Sequence, residues 1–321
     1  MAHADHLHGP HDHGHDHVRG GAHGGHDHAP RDFGRAFAAA VALNTAFVLV
    51  EAGVGLWSGS LALLADAGHN LSDVLSLLLA WGAAALARRA PTAQRTYGLR
   101  KATILASLTN AILLLVAVGA IVSESVRRVF APAPVATQAV MATAALGVVL
   151  NTATALLFLR GRDDINVRGA FQHMAADAAV SLAVVVGAAL MAATGLAWID
   201  PALSLGIAAV IVFGTWGLLR ESVDMALDAA PKGVDVAAVG AWLAALPGVV
   251  EVHDLHVWAM STTEVALTAH LIRPAAPDDD GDGFLHAACE GLHDRFGIGH
   301  ATLQVEAGAD VVCRLAPAEV V

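Results

Sequence analysis

The segment LALLADAGHNLSDVLSLLLAWGAAALA, residues 61–87, decides the fold. It contains no lysine or arginine, and at 1.5 Å of rise per residue a helix of this length crosses the roughly 30 Å hydrocarbon core of a bilayer. Its apolar run is interrupted by Asp66, His69 and Asp73. Ionisable side chains at that depth are costly and usually mark an ion pathway or another functional site. The segment therefore predicts a membrane-spanning helix with a functional site inside it.

A second apolar run carries the same spacing of histidine and aspartate. His173 and Asp177 repeat the interval between His69 and Asp73. In a helix, residues four apart lie on one face, so two such helices packed together offer two imidazoles and two carboxylates to one point. Zinc accepts this ligand set, and the two carboxylates balance the charge of a divalent ion. The pattern predicts that a divalent metal crosses the membrane here.

Composition sets the protein class. The 321 residues are 56% hydrophobic and 15% charged, with a net charge of -11, which fits a membrane protein with one further small domain and excludes a basic nucleic-acid-binding surface. The sequence has neither a P-loop nor an HExxH motif, which argues against an ATP-driven pump and a zincin-type protease. Cys289 and Cys313 form no CxxC motif, although either could be a lone ligand.

Three regions follow from the hydropathy pattern. Residues 1–30 hold ten of the eighteen histidines and almost nothing apolar, which predicts a disordered, His-rich, metal-collecting tail. Residues 31–220 predict a six-helix transmembrane domain, and residues 221–321 a C-terminal domain. The predicted spans are 36–57, 61–87, 102–124, 135–159, 164–194 and 201–219.

Basic residues predict the orientation. One side of the predicted bundle has Arg127 and Arg128 alone, whereas the other side has eleven basic residues beside the spans: Arg31, Arg35, Arg88, Arg89, Arg95, Arg100, Lys101, Arg160, Arg162, Arg168 and Arg220. By the positive-inside rule both termini are expected in the cytoplasm.

Two helix starts are predicted from acidic residues. The two His/Asp pairs reach similar depths if span five begins at Asp163 and Asp164 and protrudes into the cytoplasm, since carboxylates suit a helix N-terminus. Asp200 and Pro201 predict the start of span six, with aspartate as the cap and proline at the first helical position.

The C-terminal domain is predicted to have the order αββαβ. Helical periodicity covers 234–246 and 284–296, and alternating patterns predict strands at 249–259, 264–273 and 301–306. This order favours a small ferredoxin-like sheet with helices on one face. A two-residue turn at 261–262 would place His253 opposite His270, close enough to share a metal, with His256 on the other sheet face.

Three motifs resemble the cation diffusion facilitator family, in its zinc-transporting branch: LADAGHNLSD at 64–73, HMAAD at 173–177 and VHDLHVW at 252–258. The resemblance implies a homodimer of six-span subunits with cytoplasmic ferredoxin-like domains, in a membrane that we expect to be the bacterial cytoplasmic (inner) membrane. It implies export of Zn²⁺ in exchange for protons. It also suggests that His286, Gln304 and Glu306 complete a Zn²⁺ site with His253 and His270.

Other interpretations of the same residues stay open. Asp66 shares a face with His69 and Asp73, so it is a candidate for an additional ligand, an outer-shell partner or a proton acceptor. Glu51 in span one could pair with a neighbouring helix. The alternative functions are a membrane-embedded metal-dependent enzyme, which would need an open coordination position, and a metal sensor that uses the same sites.

Overall fold

The computed structural model describes residues 35–157, 165–274, 280–308 and Cys313. The His-rich tail at 1–30 and the predicted start of span five at Asp163 and Asp164 lie outside the described residues.

Six long helices in the described part of the chain confirm the predicted membrane spans. Each is long and apolar enough to cross a bilayer. The third and sixth extend beyond the predicted spans at their C-terminal ends. The helices are α1 Arg35–Ser58, α2 Leu61–Ala87, α3 Ala102–Phe130, α4 Thr137–Leu157, α5 Ile165–Thr194 and α6 Ile199–Ala226.

Polarity in the helical domain is reversed relative to a water-soluble protein. Large apolar side chains such as Leu49 and Phe213 are exposed on the outside, while Glu51, Asp66 and Asp177 are buried between helices. A lipid environment explains both observations, because lipid solvates apolar side chains and leaves polar ones to partners within the protein.

The start of α2 is held by an aspartate from another helix. Asp200 was expected to cap α6 with Pro201 as its first residue, but α6 begins two residues earlier, at Ile199, with Trp198 at the cap position. The buried Asp200 carboxylate instead accepts hydrogen bonds from the backbone N–H groups of Leu61 and Ala62 and from the hydroxyl of Ser60, at 2.5 to 3.3 Å. The predicted cap is therefore wrong. A carboxylate at a helix N-terminus satisfies orphan N–H donors whichever helix supplies it, and here it ties α6 to α2.

The C-terminal domain has the predicted αββαβ order. Its elements are α7 Val236–Ala244, β1 Glu251–Ala259, β2 Val265–Ile272, α8 Gly281–Phe296 and β3 Ile298–Glu306. Strand β2 is central, antiparallel to β1 and parallel to β3. Leu267 and Leu271 of β2 pack into the core that contains residues of both helices, so Thr268 and His270 lie on the opposite face of the sheet.

A β-bulge in β1 offsets an error in the predicted turn between β1 and β2. The turn has three residues, 261–263, between a pair formed by Met260 and Glu264, so the predicted two-residue turn is wrong. His253 nevertheless lies opposite His270, because β1 gains one residue between His253 and His256. The bulge also places His256 opposite Thr268, on the face that carries His253 and His270. The prediction that His256 lies on the other face is therefore wrong as well.

The C-terminal domain contacts the segment between α2 and α3. Arg100 pairs with Glu264, and Lys101 pairs with Asp228 at 2.5 Å. The backbone N–H of Thr262 donates to the hydroxyl of Thr103. The β1–β2 turn is thus connected to the start of α3.

Replacing Asp200 by alanine should destabilise the helical domain. The variant loses the acceptor for two buried N–H groups, and an unsatisfied buried donor costs about 1 to 3 kcal/mol. We expect the apparent thermal midpoint of the purified protein in detergent to fall by several degrees. The exposed Asp224 on the same helix provides the control, and an equal effect of Asp200→Ala and Asp224→Ala would contradict this role for the cap.

Candidate metal centres

The two His/Asp pairs meet between α2 and α5, each histidine facing an aspartate of the other helix. His69 Nε2 lies 3.2 Å from Asp177 Oδ1, and His173 Nε2 lies 3.3 Å from Asp73 Oδ2. His173 Nε2 is also 3.7 Å from Asp177 Oδ2. The two imidazole rings stand nearly perpendicular, with centroids 6.1 Å apart. We call His69, Asp73, His173 and Asp177 the membrane quartet.

The spacing of the quartet fits a tetrahedral divalent ion. Zinc bonds of about 2.0 to 2.2 Å to nitrogen and oxygen put tetrahedral ligand atoms about 3.3 to 3.6 Å apart. The cross-helix distances are of this size, and ligand atoms of His69, Asp73 and Asp177 all lie within 4.8 Å of one another. His173 is outside that group of three but contacts both carboxylates. The four side chains are therefore close enough together to be candidate ligands of one ion.

Burial within the quartet is graded. The side chain of Asp177 is 2% exposed, those of His69 and Asp73 about one quarter exposed, and that of His173 is 45% exposed. Asp177 is therefore the most interior residue of the quartet, and His173 is the residue closest to the surroundings of the bundle.

Buried polar contacts hold α2 beside the quartet. Asp66 accepts a hydrogen bond of 2.9 Å from Ser181 on α5, and Glu51 on α1 accepts one of 3.0 Å from Asn70. Asn110 on α3 donates to Ser76 at 2.7 Å. Asp66 is fully buried but is not in the compact group of ligand atoms, so its geometry favours the outer-shell role.

A second cluster occupies the face of the C-terminal sheet opposite the helices. Ligand atoms of His253, His270, Glu306 and Cys313 all lie within 4.8 Å of one another. The Glu306 Oε1 atom is 3.6 Å from His253 Nε2 and 3.2 Å from His270 Nδ1. The Cys313 Sγ atom is 3.4 Å from His270 Nδ1. We call these four residues the sheet cluster.

His253 gives the sheet cluster the character of a binding site. Its side chain is 6% exposed, yet within the described structure neither of its ring nitrogens has a hydrogen-bond partner. A buried polar atom without a partner costs about 1 to 3 kcal/mol and calls for an explanation, of which an ion is one. The donor set of the cluster fits zinc, since imidazole, carboxylate and thiolate are its usual ligands.

Two neighbours orient the sheet cluster. Asp254, in the bulge, lies 3.5 Å from His270 Nε2 and 2.9 Å from His256 Nε2. Asp254 contacts the Nε2 side of the His270 ring, so the Nδ1 atom of His270 faces the cluster. Carboxylates often orient metal-binding histidines in this way. Gln304 donates a 3.0 Å hydrogen bond to Glu306 Oε1. Gln304 thus contacts the glutamate of the cluster.

The structure separates the sequence-predicted ligands of the C-terminal domain. His253, His270 and Glu306 come together as expected. His286 does not, because it lies on α8, is 76% exposed and contacts Glu290 at 3.3 Å. The helix packs on the opposite face of the sheet from the cluster, so His286 cannot reach it within one subunit. Cys313 is the residue whose place in the cluster the sequence did not predict, since it belongs to no motif and follows the last strand.

Family comparison identifies the helical domain. A model of the cation efflux transmembrane domain matches residues 37–226, more than half of the chain. The chain belongs to the cation efflux, or cation diffusion facilitator, family. A second model, of the cation efflux protein cytoplasmic domain and named for dimerisation, matches residues 231–308. Both domains of this cation efflux protein are thus accounted for, with the resemblance in the three motifs confirmed.

Named relatives cover nearly the whole of this cation efflux protein. It is 34% identical over 295 residues to the metal cation efflux system protein CzcD of Cupriavidus metallidurans, covering 92% of this chain and 89% of the relative. It is 36% identical over 270 residues to the zinc transporter ZitB of Escherichia coli, covering 83% and 85%. It is 30% identical over 273 residues to a cadmium, cobalt and zinc/H⁺–K⁺ antiporter of Bacillus subtilis, covering 83% and 86%.

A solved structure also matches the C-terminal region. The metal-bound C-terminal domain of the CzcD transporter is 34% identical and is covered over 99% of its length by 23% of this chain, with a TM-score of 0.21. That score is too low for the match to bear on the fold.

Family and relatives are metal-cation transporters and not enzymes, which sets aside the membrane-embedded enzyme as an interpretation.

Two substitutions at Asp254 should distinguish the effect of its backbone conformation from the effect of losing its side chain. Asp254 has a positive φ of 50°, a conformation that aspartate and glycine tolerate and that a β-branched residue does not. Asp254→Val should destabilise the β1–β2 pair by about 1 to 3 kcal/mol. Hydrogen exchange of the amides in 251–272 should then be about 5- to 150-fold faster than in Asp254→Gly. Equal exchange in the two variants would show that the bulge does not require this backbone conformation.

Proposed function

We propose that this cation efflux protein exports Zn²⁺ from the cytoplasm in exchange for protons, with the membrane quartet as its transport site. The observation that supports this most strongly is the convergence of two His/Asp pairs from α2 and α5 on one point inside an apolar domain. Relatives over most of the chain are named as metal cation efflux and zinc transporters, and one of them as a cadmium, cobalt and zinc/H⁺–K⁺ antiporter. In this proposal zinc is the substrate and the proton is the counter-ion.

Charge balance links zinc to protons. With Zn²⁺ bound, the carboxylates of Asp73 and Asp177 cancel the two charges of the ion. When the ion leaves, two carboxylates would remain beside each other in a medium of low dielectric constant, which costs several kcal/mol unless protons replace the metal. Metal release and protonation are thus linked, because the ligands must be deprotonated to bind.

Alternating access turns this linkage into antiport. When the quartet faces the neutral cytoplasm, its deprotonated ligands bind zinc. When it faces the other side, protons displace the ion and return with the empty quartet. Rocking of helices within the bundle is the usual way to expose one site to each side in turn. The graded exposure from His173 to Asp177 is suited to this, since one side of the quartet is buried and the other is accessible.

The positive-inside pattern supports an orientation with both termini in the cytoplasm. Arg100 and Lys101, in the basic segment between α2 and α3, contact the C-terminal domain at Glu264 and Asp228. The domain thus lies on the basic side of the bundle, as a cytoplasmic domain should. We place the protein in the bacterial cytoplasmic (inner) membrane as a homodimer, in keeping with the dimerisation domain that its C-terminal sequence matches.

The sheet cluster is proposed as a second, resident zinc site. His253, His270 and Glu306 would hold the ion, and Asp254 would orient His270. Loading of this site at high cytoplasmic zinc would rigidify the sheet, whose β1–β2 turn contacts the start of α3. A pure sensor would use this site alone, but such a protein would have no need for a buried quartet within six spans.

Zinc uptake into proteoliposomes under an imposed pH gradient tests the transport site. Asp177→Ala removes the most buried ligand and one of the two compensating charges, so we expect gradient-driven flux to be lost. The double variant His253→Ala with His270→Ala leaves the quartet intact and should only weaken flux. Asp224→Ala, an exposed aspartate on α6, serves as the matched control. Normal flux in Asp177→Ala would refute the proposal.

A further inference from the structure

We propose that Cys313 supplies a thiolate ligand to the sheet cluster, which would hold a divalent cation of Zn²⁺ type in a shell of two nitrogens, one oxygen and one sulphur. This inference rests on the proposed metal site at His253, His270 and Glu306 and adds a ligand to it. It makes the tail beyond β3 part of the metal site, since Cys313 lies seven positions after the last strand residue.

The distances among the four side chains match a tetrahedral shell with one sulphur ligand. Metal bonds of about 2.0 Å to nitrogen and about 2.3 Å to sulphur put tetrahedral ligand atoms about 3.3 to 3.6 Å apart. The observed separations of 3.2 Å between His270 and Glu306, 3.4 Å between His270 and Cys313, and 3.6 Å between His253 and Glu306 lie close to this range.

Hydrogen bonding alone does not explain the cluster. The Nδ1 atom of His270 faces both the Glu306 carboxylate and the Cys313 sulphur, although one ring nitrogen makes one well-aligned hydrogen bond. His253 is buried against the same group with both ring nitrogens unpaired within the described structure. A cation between the four side chains would satisfy Nδ1 of His270 and one ring nitrogen of His253 at once, with Nε2 of His253 the nearer to Glu306.

Charge supports the thiolate form of Cys313 in the loaded site. Glu306 and a thiolate together contribute two negative charges, which cancel those of a divalent ion, as Asp73 and Asp177 do in the membrane quartet. The thiol loses its proton when it binds, so loading this site releases a proton to solvent. Because thiolate is a soft ligand, the sheet cluster should favour zinc over hard cations such as Mg²⁺ and Mn²⁺ more strongly than the quartet does.

Cobalt substitution detects the thiolate directly. Zn²⁺ is spectroscopically silent, whereas Co²⁺ bound to a thiolate gives a charge-transfer band in the near ultraviolet that imidazole and carboxylate ligands do not give. The full-length protein is purified in detergent, freed of metal, and titrated with Co²⁺. We expect the band in the unmodified protein and in Cys289→Ser, the matched control for the other free thiol. We expect it to be absent in Cys313→Ser and in the His253→Ala, His270→Ala double variant.

A protection measurement on the unmodified protein is independent of the folding of any variant, and an affinity measurement on Cys313→Ser complements it. In the unmodified protein, zinc should protect Cys313 from alkylation by iodoacetamide, read by mass spectrometry, and leave Cys289 unprotected. In Cys313→Ser, zinc affinity at the sheet cluster should fall about 10-fold or more, because even loss of a group behind a ligand costs 10- to 100-fold. A charge-transfer band that persists in Cys313→Ser, or alkylation of Cys313 that zinc does not slow, would overturn the inference.

The outcomes also separate this inference from the proposed functions. If Co²⁺ binds the sheet cluster without a thiolate band, and the histidine double variant loses one bound equivalent, Cys313 is not a ligand and the histidine site stands. If the double variant loses no bound metal, the resident site itself is wrong, and the inference falls with it. Neither result bears on the membrane quartet, which the flux measurement tests.

Discussion

A carboxylate between membrane helices must be neutralised by a cation, a proton or several hydrogen-bond donors, because lipid supplies none of these. The acids of the helical domain differ in which of these partners they have. Asp200 receives two backbone N–H groups and a hydroxyl, and so becomes a structural cap. Asp66 receives one hydroxyl from Ser181. Asp73 and Asp177 face imidazoles across the α2–α5 contact, an arrangement that a cation or protons can complete in turn.

The helical domain was largely predictable because its constraints are local in sequence. Span lengths follow from bilayer thickness, and a four-residue spacing puts His69 with Asp73, and His173 with Asp177, on single helix faces. The prediction that the two faces meet rested only on the identical spacing of the two His/Asp pairs. Asp200 was misassigned because its position at the start of α6 suggested a local cap, whereas the donors that it satisfies lie some 140 residues away in sequence.

The C-terminal domain was harder to predict because its site depends on tertiary details. The order of elements follows from periodicity, but the bulge at Asp254 leaves no clear pattern signal, and it changes which face His256 occupies. The correct pairing of His253 with His270 came from a turn one residue too short, an error that the bulge offsets. Neither spacing nor periodicity in the sequence indicates that Cys313 lies in the cluster.

The account depends on one ion being held between α2 and α5. Anomalous diffraction at the zinc absorption edge, from crystals of the zinc-loaded full-length protein, measures this most directly. The account predicts an anomalous peak about 2 Å from ligand atoms of His69, Asp73, His173 and Asp177. Zinc peaks elsewhere in the protein, with none between these four side chains, would contradict it.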